Sequence, residues 1–321
     1  MPDKTKVVAL DIGGTKIACG IVDLGGDVPL VGSVEKVPTD ALRGGAAVLS
    51  RVIDLAKAVL STAGGDVAGI GVSSAGVIDP RSGDVTFAND LMPGWGGTHL
   101  AAELSGACGV PVRVMGDVHA HAFGEARWGA GRDLGSCLVV AVGTGIGGAF
   151  VERGTIMLGA HDVAGHVGHV SCLEAKGIPC SCGRSGHLEP IASGPGIVAA
   201  YVAASGTSCR PDGMPIGGAE VSRLADAGDP SAVSAEERAG RALGGVLGSL
   251  CNTLDPAGII LSGSVAQSGR VWHEALAEGF ASQAMDPVAA TPILEGALGG
   301  DAPLVGAAEN LRVPAYAELR G

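Results

Sequence analysis

Two stretches of the chain share one pattern of apolar and polar positions. Val7-Val8-Ala9-Leu10 is a continuous apolar run, the sign of a strand buried on both faces. Ile17-Ala18-Cys19-Gly20-Ile21-Val22 follows as its hairpin partner, and Asp11-Ile12-Gly13-Gly14-Thr15-Lys16 lies between. The pattern returns at Cys137-Leu138-Val139-Val140-Ala141-Val142, then Gly143-Thr144-Gly145, then Ile146-Gly147-Gly148-Ala149-Phe150-Val151. Two strand, glycine-turn, strand units about 130 residues apart predict two similar halves. Elsewhere in the first half, helical periods cover 46–63, 98–104 and 119–127, and strands cover 67–72 and 112–115, the latter ending at Gly116-Asp117. In the second half, helices are expected over 195–204, 220–227 and 235–253, with a strand Ile259-Ile260-Leu261 running into Ser262-Gly263-Ser264. The polar stretches 205–215 and 228–234 read as loops. Hairpins mixed with βα units predict an α/β protein in two lobes, with the cleft between them as the natural active site.

The two glycine turns raise a chemical question. Small residues let main-chain N–H groups approach phosphate oxygens closely, and Thr15, Lys16 and Thr144 add hydroxyl and ammonium donors. Asp11, at a strand end, is placed to hold Mg²⁺. The plain alternative is that these glycines only turn hairpins. Neither loop has the Walker lysine pattern, and neither opens a helix as a dinucleotide fingerprint does. Asp117 follows a strand ending in glycine, which puts its carboxylate at the C-terminal edge of a sheet, where open α/β sheets bind ligands. By local sequence alone its ordinary role is a helix N-cap. His119, His121 and Glu125 on the same helix read as exposed or hydrogen-bonded surface, and Asn89 as part of a turn before Pro93-Gly94-Trp95.

A third cluster carries metal-binding chemistry. His169, Cys180, Cys182 and His187 supply four soft or borderline donors within one short stretch. That set suits tetrahedral zinc, and four protein ligands leave no open position for a catalytic water. The metal is therefore expected to be structural, fixing the loop that carries His166, His169 and Glu189.

Composition narrows the classes. The 321 residues are 46% hydrophobic, enough for full cores, and the 55 glycines imply many tight turns. A net charge of −12 without a basic patch argues against a nucleic-acid surface. No signal-like or membrane-spanning apolar run is present, so no membrane partner and a cytoplasmic location are expected. The eight cysteines lie mostly singly in apolar surroundings, as buried thiols rather than disulfides.

Taken together, these motifs resemble the ROK family (repressors, open reading frames, kinases) over nearly the whole chain. Asp11 to Lys16 is similar to its first phosphate loop and Gly143 to Gly148 to its second. Asp255-Pro256 with Ile259 to Val265 is similar to its adenosine segment, and Gly165 to Glu189 to its sugar-and-zinc signature. The resemblance implies a two-lobed actin-like or ribonuclease-H-like ATPase fold with a zinc-stapled loop. It places one lobe at 1–118 and the other at 119–303, with a C-terminal helix over about 304–321 packing back on the first. It implies ATP, Mg²⁺ and structural Zn²⁺ as cofactors, a small-molecule sugar as substrate, and a homodimer or homotetramer. Asp117 would be the base that activates the sugar 6-hydroxyl, reversing the local preference for a cap. Gly76, Asn89, His166, His169 and Glu189 would contact the sugar. Asp11, Gly13, Gly14, Thr15, Lys16, Gly143, Thr144, Gly145 and Gly263 would hold the nucleotide.

Three positions depart from the family's pattern. Gly116 stands where the family often has Asn, which removes a sugar-hydroxyl contact. His166 stands where it usually has Glu; an imidazole removes a charged acceptor and adds a donor suited to an acetamido carbonyl. His187 stands where a third zinc cysteine is common, giving a His₂Cys₂ set. The resulting expectation is an ATP-dependent kinase for a hexose or N-acylhexosamine, N-acetylmannosamine ahead of glucose and N-acetylglucosamine third. Two readings from other classes stand beside it. One is a sugar-sensing transcriptional regulator, disfavoured by the acidic balance and by a first phosphate loop too early to leave room for a winged helix-turn-helix. The other is a sugar-binding protein that has lost catalysis.

Overall fold

This computed structural model describes residues 4–313. The chain forms two compact units, one of 1–133 with 151–164 and 297–321, the other of 134–150 with 165–296. Residues 119–133, 151–164 and 297–303 thus fall in the first unit, outside the expected boundaries at 118 and 303.

The first unit opens with the hairpin β1 (Lys6–Ile12) and β2 (Lys16–Asp23), followed by the short strands β3 (Leu30–Val31) and β4 (Glu35–Pro38). Helix α1 (Gly45–Thr62), strand β5 (Ile70–Ser74), the small hairpin β6 (Val77–Ile78) and β7 (Val85–Phe87), helix α2 (Leu100–Cys108), strand β8 (Val112–Gly116) and helix α3 (Asp117–Trp128) follow. The sheet order is β3-β2-β1-β5-β8, with β4 also on β2. β1 and β2 run antiparallel, whereas β1, β5 and β8 run parallel in register: Asp11 lies beside Ser73, and Ser73 beside Met115. Alternation along β1 explains its unbroken apolar sequence. Val8, Leu10 and Ile12 face a core with Val48, Val52 and Leu55 of α1, while Val7 and Ala9 face a second core. Each such fully buried aliphatic side chain contributes about 2 kcal/mol.

The second unit opens with the second hairpin, β9 (Ser136–Val142) and β10 (Ile146–Glu152); the last two residues of β10, with β11 (Thr155–Ile156) that turns back on them, belong to the first unit. Helices α4 (Glu189–Ala192), α5 (Gly194–Ser205), α6 (Gly218–Asp226) and α7 (Pro230–Leu254) precede β12 (Ile259–Ser262), α8 (Arg270–Gln283) and β13 (Ile293–Glu295). The order is β11-β10-β9-β12-β13, with β9, β12 and β13 parallel. Each unit therefore pairs a hairpin with a parallel strand beside its first member, as the repeated pattern predicts. A Cβ on Gly244 or Gly248 of α7 would strike the carbonyls of Leu276 or Phe280 on α8. Those glycines cost helix propensity and gain backbone contact.

The last helix, α9 (Ala302–Arg312), supplies Leu304, Val305 and Ala308 to the second core of the first unit. α3 belongs with it: a Cβ on Gly306 would overlap the Ala120 carbonyl, and one on Gly124 the Ala302 carbonyl. This close crossing is why the first unit extends beyond residue 118. The part of the expected C-terminal helix over 314–321 lies outside the described residues.

Several local expectations are corrected. Residues 228–234 are not all loop: Asp229 caps α7 by accepting from the Ala232 amide at 2.9 Å, and Pro230 takes the first helical position. β5 starts at Ile70 rather than Val67, because Gly69 (φ 156°) lies close against the Pro111 carbonyl. Glu125 is wholly buried rather than at the surface, accepting from the amides of Ala130, Ala297 and Leu298. The eight cysteines are free thiols, with Cys182 and Cys209 exposed. No helix among the described residues is long and apolar enough to cross a membrane.

Glu236 on α7 is 1% exposed, and among the described residues neither carboxylate oxygen has a partner at hydrogen-bond geometry. Burial first, then the like charge of Asp226, pushes it up to about 7, and the nearby Ser268 hydroxyl offsets only part. The native state thus holds this proton more tightly than the unfolded chain, so stability falls as pH rises from about 4.5 to about 7. Glu236→Gln is expected to raise the melting temperature at pH 8, relieving about 2–3 kcal/mol, with the gain vanishing toward pH 4.5. Melting curves of both proteins across that range check it; a gap independent of pH would contradict the assignment.

Candidate active site

Strand register assembles the first unit's residues. Ile12, Ser74 and Gly116 are neighbours across β1, β5 and β8, so the segments beginning at Gly13, Ala75 and Asp117 all leave one C-terminal sheet edge. The Gly13 amide donates to the Lys16 carbonyl at 3.0 Å and closes the turn, while Thr39 Oγ1 donates to the Gly13 carbonyl at 2.6 Å. Gly14, Thr15 and Lys16 are exposed, and the Gly14 and Thr15 amides have no internal acceptor among the described residues. Such a loop presents donors outward. Asp11 accepts from Ser73 Oγ at 2.7 Å; burial raises its carboxyl, which Ser73 and Lys16 partly offset.

Asp117 is not the cap of α3. Gly116 holds that position in an extended conformation, and Asp117 is the first helical residue, with Oδ1 accepting from the Val118 amide at 2.9 Å. Its negative charge sits at the positive end of the helix dipole. Gly76 has φ 102°, and a Cβ there would press on the Phe87 carbonyl, so the turn after β5 excludes other residues. Asn89 is exposed; its Oδ1 accepts from the Leu91 amide at 3.1 Å. Its loop is pinned by the buried Trp95, whose Nε1 donates to Ser74 Oγ at 3.2 Å.

In the second unit the glycine loop has the same character. The Gly143 amide donates to the Gly145 carbonyl, and the exposed Thr144 and Gly145 amides have no internal acceptor among the described residues. Gly263 (φ 87°) follows β12 against the Val142 carbonyl, and Ser264 lies beside Gly143. The Gly194 amide donates to the Gly143 carbonyl, so the N-terminus of α5 also adjoins this loop and adds its dipole.

The His/Cys stretch closes on itself. Ligand atoms of His169, Cys180, Cys182 and His187 all lie within 4.8 Å of one another. His169 Nδ1 is 3.5 Å from Cys180 Sγ, and His187 Nδ1 is 3.3 Å from Cys182 Sγ. A tetrahedral zinc with ordinary Zn–N and Zn–S bonds has an N···S edge of about 3.5 Å, so the set fits the ion. Desolvation holds the His169 imidazole below its usual range, and burial raises the Cys180 thiol. His166 is exposed and stacks on His169 with ring centroids 6.0 Å apart. Glu189 ties three segments together: Oε2 accepts from the Ile146 amide at 3.0 Å, just past the glycine loop, and Oε1 accepts from Ser181 Oγ at 3.0 Å, between the two cysteines.

The anticipated site residues therefore form two sets, one in each unit. Sequence reasoning missed Ser73, Trp95, Ser181 and the start of α5. Of these only α5 had a local signal, Ser193 before Gly194-Pro195.

A family model described as ROK family matches residues 7–312. The chain belongs to the ROK family. Among its relatives, a glucokinase of Halalkalibacterium halodurans is 30% identical over 93% of this chain and 92% of its own length. An N-acetylmannosamine kinase of Shigella flexneri is 30% identical over 85% of each. The crystal structure of a ROK family glucokinase from Streptomyces griseus in complex with glucose and AMPPNP superposes with a TM-score of 0.78, at 29% identity, covering 96% of this chain and 99% of that one. The α/β fold with mixed sheets is the actin-like ATPase fold of ROK sugar kinases.

Proposed function

We propose that this ROK protein is an ATP-dependent sugar kinase that phosphorylates the 6-hydroxyl of a hexose or N-acylhexosamine, with N-acetylmannosamine ahead of glucose. The observation that carries the reading is the shared sheet edge of Asp117 and the Gly13–Lys16 loop. A base and a phosphate cradle on one edge are what transfer from a nucleotide to a hydroxyl needs. The relatives named glucokinase and N-acetylmannosamine kinase support the substrate class.

In this reading Asp117 takes the proton of the 6-hydroxyl as the sugar oxygen bonds to the γ-phosphorus, and the bond to the β-phosphate oxygen breaks to release ADP. Little covalent chemistry is asked of the protein; positioning and charge stabilisation supply most of the acceleration. The amides of Gly14, Thr15, Thr144 and Gly145 hold phosphate oxygens, Lys16 offsets their charge, and Gly13, Gly143 and Gly263 let the backbone approach the nucleotide. Asp11 is the residue that would hold Mg²⁺, which would supply positive charge to offset that of the phosphates. Structural Zn²⁺ fits His169, Cys180, Cys182 and His187 and would fix the loop geometry. With His169 Nδ1 beside Cys180, its Nε2 is the nitrogen for a sugar hydroxyl. Gly76, Asn89, His166 and Glu189 complete the sugar site.

His166 is the proposed selector, because an imidazole N–H donates to an acetamido carbonyl that a carboxylate would repel. Initial rates of ADP release with Mg-ATP and N-acetylmannosamine, glucose, N-acetylglucosamine or fructose test this. The expected result is the highest kcat/KM for N-acetylmannosamine, and a shift of about tenfold or more toward glucose in His166→Glu. An unchanged ratio in that variant would remove His166 from selection.

A further inference from the structure

A cavity of about 440 Å³ lies within the first unit along β8, the end strand of its sheet. Arg81, Arg113, Arg127 and Arg153 all line it, and among the described residues no Asp or Glu does. None of Asp11, Gly76, Asn89 and Asp117 contributes to its wall, so it is not the site described above. In a chain with 21 basic and 33 acidic residues, four guanidinium groups around one cavity form an island of opposite charge.

The four arginines are not equivalent. Arg127 donates through Nε and Nη2 to Oε1 of the buried Glu309, at 3.1 and 3.0 Å, which balances its charge. Arg113 donates to the carbonyl oxygens of Asn310 and Val313, which orients it without neutralising it. Arg81 and Arg153 are exposed, and neither forms an ion pair among the described residues. Arg153 also breaks a local rule. With φ 49° at Arg153 and φ 72° at Gly154, the turn between Glu152 and Thr155 is one that favours Asn-Gly. A side chain such as Arg at that φ costs on the order of 1 kcal/mol. A residue that sits against local preference and points to function is expected where a ligand is bound.

The geometry points to a second ligand site in this cavity, for a small phosphate monoester. Arg81 and Arg153 would grip the phosphate, with Arg113 adding its charge, and a compact ring or apolar body would lie against Ile78, Val114 and Phe123. The guanidinium fork matches phosphate oxygens in pairs, and the volume falls within the range of about 300–1,000 Å³ usual for small-molecule sites. Gly116 and His119 share the wall, and Gly116 directly precedes Asp117. Occupancy therefore bears on the segment that carries the proposed base, a coupling that rests on the function proposed above.

The test is calorimetric titration of phenyl phosphate and 3-phosphoglycerate into the full chain, with glucose and a non-hydrolysable ATP analogue present at saturation. The expected result is saturable binding to the wild type, weakened about tenfold or more in Arg153→Asn and further in the Arg81→Ala, Arg153→Asn pair. Arg153→Asn suits the turn, so its unliganded melting temperature is expected to equal or exceed the wild type's, which separates lost binding from lost folding. Equal affinity in the variants, or no saturable binding up to about 10 mM, would overturn the site. Inorganic phosphate binding as tightly as phenyl phosphate would reduce the cavity to a cationic patch and overturn it as well. In an ADP-release assay the same probes should alter wild-type turnover and leave Arg153→Asn unaffected. Binding that distinguishes the variants without any change in turnover would overturn the coupling alone.

Discussion

Asp117→Ala is expected to lower kcat by about a thousandfold while changing the dissociation constant of the sugar only a few-fold, since general-base catalysis is worth about 10²–10⁴ in rate. Oδ1 of the carboxylate accepts from its own neighbour's amide, at the start of α3, and the residue is only half-buried. The substitution therefore removes a proton acceptor without opening a cavity, and stability should change little. Asp117→Asn keeps shape and hydrogen bonding but cannot take a proton, and it should lose the same activity. Single-turnover rates together with equilibrium binding of the sugar separate the two effects. Retained turnover in Asp117→Asn would assign the proton to another group.

Removing the metal is expected to have the second largest effect, on both stability and sugar affinity. Ser181 lies between Cys180 and Cys182, and its hydroxyl donates to Glu189, whose other oxygen accepts from Ile146 beside the second glycine loop. Loosening the cysteines releases Ser181, Glu189 and His169 together. Dialysis against a chelator, or Cys180→Ser, should lower the melting temperature by several degrees and raise the sugar KM by about 10–100-fold. Restored zinc should reverse both changes in the dialysed wild type and neither in Cys180→Ser. Elemental analysis giving one zinc per chain is the companion measurement. Unchanged melting and KM after complete metal removal would leave the His/Cys cluster without the role proposed here.

How much of this was legible in the sequence depended on how local the cause was. The hairpins β1–β2 and β9–β10 stand out because the first strand of each carries an unbroken apolar run and its largely buried partner is interrupted only by Gly20 or by Gly147-Gly148. The His/Cys cluster was readable for a similar reason: its four ligands lie within one short loop whose turns bring them together without help from the rest of the fold. Helix α8 is absent from the sequence expectations although its buried face, Trp272, Ala275, Leu276, Gly279 and Phe280, keeps helical spacing; its small residues, Ala275 and Gly279, lie where it crosses closely against α7. The expected strand over 67–72 begins three residues before β5: Ala68 and Gly69 already exchange main-chain hydrogen bonds with Lys6 and Val8, but regular strand begins only after Gly69, whose backbone (φ 156°) lies close against the Pro111 carbonyl.

The site was less legible than the fold where it depends on register. Asp11 and Ser73 are 62 residues apart and share a hydrogen bond only because β1 and β5 pair as they do. Asp117 looked like a cap because Asp after a strand usually is one; the structure gives that position to Gly116 and leaves the carboxylate at the sheet edge. Glu125 and Glu236 carried no signal at all. A carboxylate on an amphipathic helix reads as solvent-facing, and nothing in the local sequence reveals that one binds three backbone amides while the other is buried without a partner.

The central claim is phosphoryl transfer from ATP to the 6-hydroxyl of a sugar. It is tested most directly by following Mg-ATP with N-acetylmannosamine, and with glucose, by phosphorus and carbon NMR in the presence of the protein. Stoichiometric ADP and a new phosphate monoester coupled to carbon 6 are expected, formed faster with N-acetylmannosamine and absent with Asp117→Asn. ADP without a sugar phosphate, a phosphate on another carbon, or no reaction with either sugar would contradict it.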